Sequence, residues 1–340
     1  MHKLLAGSLL VMSSLHAAWA KVEVKTDTAK QRVDVTIDGK PFTAYVWPNS
    51  LMKPVLFPLV AADGVTVTRG YPLEPRDGER VDHPHHAGVW FNYGNANGFD
   101  FWNNSTAIKA EQAPKMGTIH HEKIVSTKSG ASGELVADSV WETGAGQKIF
   151  NQRTKYVFSQ MGDTRMIDMT VRMTALEKVV FHDDKEGMLG IRVAHFLESA
   201  TEKGGVFADA SGRPTTVTGN TAGATGVYLT SEGKEGDAVW STRGKWCKLT
   251  GHTTDGHTET IAILDHTGNP NYPTFWHARG YGLFAANPLG QKIFDNKMPQ
   301  LDYTVDKGKT ITFHYRILVS SHDVSAEEMN KASSAFEAKK

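Results

Sequence analysis

Alternation with a period of two constrains this chain more than any other feature. Val33, Val35 and Ile37 are separated by Asp34 and Thr36, and the pair Asp38-Gly39 follows at once. Successive side chains of a strand point to opposite faces, so the pattern buries one face and wets the other, and Asp-Gly closes a hairpin. The return strand begins near Phe42 and carries Ala44 and Val46 on one face. The device recurs: Lys123 to Ser129 and Glu134 to Glu142 flank Gly130-Ala131-Ser132-Gly133, and Lys155 to Gln160 and Arg165 to Met173 flank Met161-Gly162-Asp163. Further strands are predicted over Met188 to Phe196, Thr258 to Leu264, Gly282 to Ala286 and Thr310 to Val319. Short strands at ~8–12-residue spacing with glycine-rich turns predict an all-β protein, a large antiparallel β-sandwich, over parallel βαβ units.

Only the tail reads as helix. Ser325-Ala326-Glu327-Glu328 forms a capping box ahead of a short amphipathic segment to about Glu337. The stretch from Gly204 to Gly226 is rich in Gly, Ser and Thr and predicts a long surface loop. With no repeat or linker, residues 21–340 read as a single β-sandwich domain. The first twenty residues read differently. Met1-His2-Lys3, an apolar run from Leu4 to Met12 and the ending Ala18-Trp19-Ala20 are the three parts of a cleavable signal peptide. The protein is therefore expected to be periplasmic or secreted.

Lys+Arg and Asp+Glu both number 37, so net charge steers the chain neither to nucleic acid nor to an anionic membrane. No apolar run approaches the ~20 residues of a membrane span. The single cysteine, Cys247, excludes an internal disulfide and every multi-cysteine metal site. The unusual count is 15 histidines.

The densest of these lie in Asp82-His83-Pro84-His85-His86-Ala87-Gly88-Val89-Trp90-Phe91-Asn92-Tyr93-Gly94. In an extended segment His83 and His85 share a face and can close on one divalent metal ion, with Pro84 stiffening the backbone between them. Asp82 can orient an imidazole by accepting its second N–H. His195 lies in a strand-like run, and His277, Arg279 and Tyr281 alternate onto one face of Trp276-His277-Ala278-Arg279-Gly280-Tyr281-Gly282. These six residues, His83, His85, His195, His277, Arg279 and Tyr281, are expected to line one polar cleft as the catalytic set. Around them, Asp82, His86, Trp90, Asn92, Trp102, Asn271 and Trp276 supply the aromatic faces and polar groups that suit a sugar.

The segments His83-Pro84-His85-His86-Ala87-Gly88, Asp265-His266-Thr267-Gly268-Asn269-Pro270 and Trp276 to Gly282 resemble the PmoA-like family of bacterial proteins. That resemblance implies bacterial carbohydrate breakdown and a fold similar to the large sandwiches of galactose-mutarotase type. Three function classes follow. The first is an exported carbohydrate-active enzyme, a lyase, hydrolase or epimerase, in which a histidine withdraws a proton beside a carbonyl. A metal or Arg279 then stabilises the enolate, and Tyr281 protonates the leaving oxygen. The second is a non-catalytic carbohydrate-binding protein, and the third a metal-binding periplasmic protein. Intact-mass measurement on protein from its native compartment is expected to find residues 1–20 removed; retention of Met1 contradicts the targeting reading.

Overall fold

The computed structural model describes residues 20–218 and 222–339. The expected targeting segment, Ala20 apart, lies outside them. Two eight-stranded sheets face one another. In spatial order the first comprises Val22–Asp27, Arg32–Ile37, Lys40–Val46, Val55–Leu56, Val89–Tyr93, Gly187–Arg192, Leu283–Asn287 and Phe275–Arg279. The second runs Val227–Thr230, Trp246–His252, Thr258–Leu264, Thr310–Ser320, Thr164–Ala175, Lys148–Met161, Gly133–Thr143 and Gly117–Lys128. Every pairing between named strands is antiparallel. The large antiparallel sandwich expected from the alternation is what the chain adopts.

The periodic residues explain why. Val33, Val35 and Ile37 turn inward to meet Phe158, Ile167 and Val171 of the opposite sheet in one continuous core. Phe42 meets Phe158 edge-on at 6.2 Å between ring centroids, and Phe91 meets Phe313 at 5.3 Å. The helix Ala326–Glu337 starts as the sequence indicates, with Ser325 and Glu328 completing the capping box, and buries Met329 and Phe336.

Two segments depart from the pattern. The Gly187–Arg192 strand stops short of His195, because the chain leaves the ladder and closes a 3-10 turn over His195–Leu197. The loop expected from Gly204 to Gly226 carries a small hairpin, Gly205–Ala208 paired with Pro214–Val217. Among the described residues no helix is long and apolar enough to cross a membrane.

The face of the first sheet turned away from the core carries the chemistry. One cross-strand row on it reads Trp90, Gly190, Ala285, His277, and the next reads Arg192, Leu283, Arg279. Gly190 is required by close approach: a Cβ there would stand 2.5 Å from the Trp90 ring and 3.0 Å from Trp102. Gly190→Ala is therefore expected to destabilise the protein by about 1–3 kcal/mol, read as a lower urea midpoint with an unchanged slope.

Candidate functional site

The histidine motif is a turn, not an extended run. The His86 amide donates to the His83 carbonyl at 2.9 Å, with Pro84 at the second position, where its fixed φ is pre-set for a turn. His83 itself takes φ 43°, in the left-handed region that a non-glycine residue occupies at a cost. The turn moves His85 out of line with His83, whose ring it meets edge-on at 5.7 Å. His83 instead stacks parallel between His86 at 4.9 Å and Tyr281 at 5.2 Å, and His86 stacks on Trp90 at 5.1 Å. This column joins the two sequence motifs that the alternation placed in one site.

Beneath it lies a buried charge cluster. Asp82 Oδ1 accepts from Arg69 Nη1 at 2.7 Å and from Arg192 Nη2 at 2.6 Å, and His83 Nδ1 lies 3.2 Å away on the same oxygen. Both guanidiniums are essentially inaccessible, at 1% and 0% exposure, whereas Asp82 keeps 30% and His83 41%. Burial alone would raise the Asp82 carboxyl; the His83 hydrogen bond and the Arg192 and Arg69 charges outweigh it and hold the group well below the usual carboxylate range. Burial, and then the neighbouring Arg192 charge, bring Arg69 down to about 9. Arg69 also donates to the carbonyls of His83 and His86, so it fixes the turn as well as the carboxylate. Arg192 lies 4.9 Å beneath the Tyr281 ring, a cation–π contact.

His86 is a structural member of the column. Its Nε2 faces the Trp102 indole N–H at 3.2 Å and its Nδ1 faces Arg192 Nη1 at 3.2 Å. Both partners are donors only, and a neutral imidazole has one acceptor nitrogen, so only one contact is a hydrogen bond at any moment. Burial first, then the His85 and Arg192 neighbours, keeps His86 well below the ordinary imidazole value. Burial likewise takes His85 to about 2 and His277 to about 3, so neither changes charge near neutral pH.

His277 sits on the same sheet face but at its floor, 1% exposed, with Nδ1 donating to the Lys185 carbonyl at 3.0 Å and 3.7 Å from Glu186 Oε2. His195 stands apart from the column. Its Nε2 donates to the Ala222 carbonyl and its Nδ1 lies 3.3 Å from Glu198, which Arg80 also grips at 2.8 Å. It borders another depression, with Phe207 and Asp77. Burial opposes a charge on His195, yet Glu198 prevails and raises it. Trp276 points into the core between the sheets, Asn92 donates to the Phe101 carbonyl at 2.6 Å, and Asn271 donates to the Pro288 carbonyl at 2.8 Å. Trp90 and Trp102, 1% and 0% exposed, are packed beneath the column. Among the expected sugar contacts, only Asp82 and Asn271 are therefore not fully buried, and Asn271 anchors a loop.

His83 touches members of two depressions. One, of about 180 Å³, is lined by His85, Pro84, Lys53, Tyr71 and Leu51. The other, of about 400 Å³, is lined by Asp237, Trp240, Arg279, Gly280 and Tyr281. Arg279 lies 4.8 Å over the Trp240 ring. The Tyr281 hydroxyl makes no hydrogen bond among the described residues; burial raises it, against the opposing Arg192 charge, so it stays protonated. Lys53 is buried, taken down to about 7 by desolvation, and donates to the His85 carbonyl at 2.8 Å. A larger groove of about 490 Å³ on the second sheet is lined by Lys123, Asp138, Arg153 and Arg172. Asp138 is gripped there by both arms of Arg153, at 2.7 and 2.9 Å, and no histidine faces the groove.

Sequence reasoning missed Arg69, Arg192, Lys53 and Trp240. Arg192 did carry a signal, a lone arginine in the otherwise apolar run Gly190-Ile191-Arg192-Val193-Ala194. A charge in such a run must be buried with a partner or face a site. Arg69 and Trp240, in irregular segments, carried none.

Residues 32–334 match the model of DUF6807, described as a family of unknown function. This overturns the expected kinship with the PmoA-like family, which stood on short segments around His83, Asp265 and His277. No curated protein matches the sequence. Solved structures with a similar arrangement include a galactose mutarotase-like protein from Clostridium acetobutylicum, at 10% identity and TM-score 0.36, covering 88% of this chain and 98% of that one. The galactosidase domain of an alpha-galactosidase-sucrose kinase aligns at 10% identity and TM-score 0.37, covering 89% of this chain and 42% of that one. The Slr1438 protein from Synechocystis sp. PCC 6803 aligns at 10% identity and TM-score 0.31, covering 88% and 96%.

Asp82→Asn leaves two buried guanidiniums without their carboxylate and is expected to cost about 3–5 kcal/mol in unfolding free energy. Because the folded carboxyl is depressed, its contribution is complete above the unfolded value of about 4 and is lost as the pH falls from there through the folded value. Denaturant titrations between pH 7 and pH 3 are therefore expected to show a steeper acid loss in the wild type than in the variant.

Proposed function

We propose that this chain, which belongs to the DUF6807 family, is a carbohydrate-active enzyme that moves a proton on a sugar, in a reaction of epimerase or lyase type. The observation that carries the reading is the Asp82–His83 pair. An accessible imidazole on strained backbone has Nδ1 3.2 Å from a carboxylate that two buried arginines keep ionised and fixed. With the neighbouring Asp82 favouring the proton on Nδ1, Nε2 is the nitrogen left to take a proton, which is the arrangement of an oriented general base. Tyr281, parallel to His83 and held protonated, is placed to donate a proton to an oxygen of the same substrate. Arg279 remains a fixed cation at the rim, suited to an oxygen on which negative charge develops.

Sugar is the substrate class that fits the walls. Tyr281 and Trp240, already packed against His83 and Arg279, line the depression with aromatic surface for sugar C–H groups, while Asp237, Arg279 and the Tyr281 hydroxyl offer hydrogen bonds. His277 and Glu186, at the floor of the same sheet, support the Lys185 segment and are positioning residues in this reading.

Free sugars, oxidised sugars and glycosides followed by proton NMR test it. His83→Gln is expected to lower kcat by about 10²–10⁴-fold while leaving sugar binding within a few-fold. Tyr281→Phe is expected to lower kcat without abolishing binding. If sugars bind and none is converted by the wild type, the protein is a carbohydrate-binding module and the enzymatic reading fails.

A further inference from the structure

A second cluster lies away from the histidine column. Asp63 belongs to the tight turn between Ala61 and Val65, on the first-sheet side of the molecule. His257 closes the turn before the Thr258–Leu264 strand of the second sheet, and Glu259 lies on that strand. Nitrogen or oxygen atoms of the three side chains all lie within 4.8 Å of one another, and His257 Nδ1 is 2.7 Å from Asp63 Oδ2. Among the described residues no other group of three such side chains meets this spacing.

Glu259 makes the cluster more than a surface ion pair. It is 0% exposed, neither carboxylate oxygen makes a hydrogen bond, and it takes part in no ion pair among the described residues. Burial first, then the facing Asp63 with Asp163 beyond it, raises the Glu259 carboxyl to about 9, so that without a metal it is held neutral. The Ser321 hydroxyl is already turned to the Asp63 amide, 3.3 Å away. Both Glu259 oxygens lie in the interior without a hydrogen bond, facing the Asp63 carboxyl and the His257 imidazole, which is the arrangement of a ligand set rather than of a surface ion pair.

We propose that Asp63, His257 and Glu259 bind one divalent metal ion of the zinc class, clamping the Ala61–Val65 turn to the second sheet. One imidazole with two carboxylates suits a borderline ion better than calcium or magnesium, which take oxygen ligands. Ligand bonds of about 2.0–2.2 Å put neighbouring ligand atoms roughly 3.4 Å apart in a tetrahedron, within the reach of small side-chain movements from the observed spacing. The ion takes the place of the His257–Asp63 hydrogen bond, and water completes its shell. This site is independent of the sugar chemistry proposed for the histidine column.

The test is a calorimetric titration of the chelator-treated full chain with Zn2+, with Ca2+ as comparison and cobalt substitution as the spectroscopic readout. One Zn2+ per chain is expected, with a raised melting temperature. Glu259→Gln, which keeps shape, and His257→Asn, at an accessible turn, are each expected to weaken binding by about 100-fold or more while remaining folded by circular dichroism. His257→Asn also changes the cobalt spectrum. Absence of Zn2+ binding by the wild type overturns the proposal. So does binding that survives both substitutions, or that disappears instead in a His83→Ala, His85→Ala double variant.

Discussion

The carboxylate of Asp82 is the contact on which the site depends. It is the one acidic group shared by Arg69, from the segment that covers the first sheet, and Arg192, from the last position of a central strand. Two guanidiniums so close repel each other in a medium of low dielectric, and each loses its hydration on burial. The carboxylate offsets both effects and ties a loop that otherwise has few ladder contacts to the rigid sheet. Arg69 Nη2 then donates to the His83 and His86 carbonyls, which holds the turn in the left-handed conformation at His83. Strain at one residue is thus maintained by a buried network anchored on Asp82, in which Arg69 Nε and Arg192 Nε are left without partners.

The fold was legible because alternation is a local signal with a global consequence. Val33, Val35 and Ile37 each point to the same core, and the Ser325 capping box needs only four residues to be recognised. The strand ending at Arg192 was read four residues too long, since Val193-Ala194-His195-Phe196 has the composition of a strand but no ladder partner beyond a single bridge at Val193. Pairing, not propensity, decided the boundary. The family resemblance stood on short histidine-rich and turn-rich segments, whereas the family that matches does so over residues 32–334.

The site was legible in part. His83, His86, Tyr281 and Asp82 came together, yet the extended reading of His83-Pro84-His85 was replaced by a turn in which Pro84 fixes the second position. Trp276 followed the alternation to the core side, opposite His277, and so could not face a ligand. The arginines escaped notice because a buried charge is defined by partners distant in sequence: Arg192 and Asp82 are 110 residues apart. The unpartnered carboxyl of Glu259 is of the same kind, an interior polar group whose meaning appears only once Asp63 is brought beside it.

The central claim is that the Asp82–His83 pair exchanges a proton with carbon in a sugar. Incubation of the wild-type protein with sugars in D2O, followed by mass and NMR analysis of the recovered sugar, tests this most directly. The account predicts deuterium at a single carbon beside the carbonyl or anomeric centre, dependent on an intact His83. Conversion of the sugar without any carbon-bound deuterium in substrate or product, or deuterium uptake unaffected by His83→Gln, would contradict it.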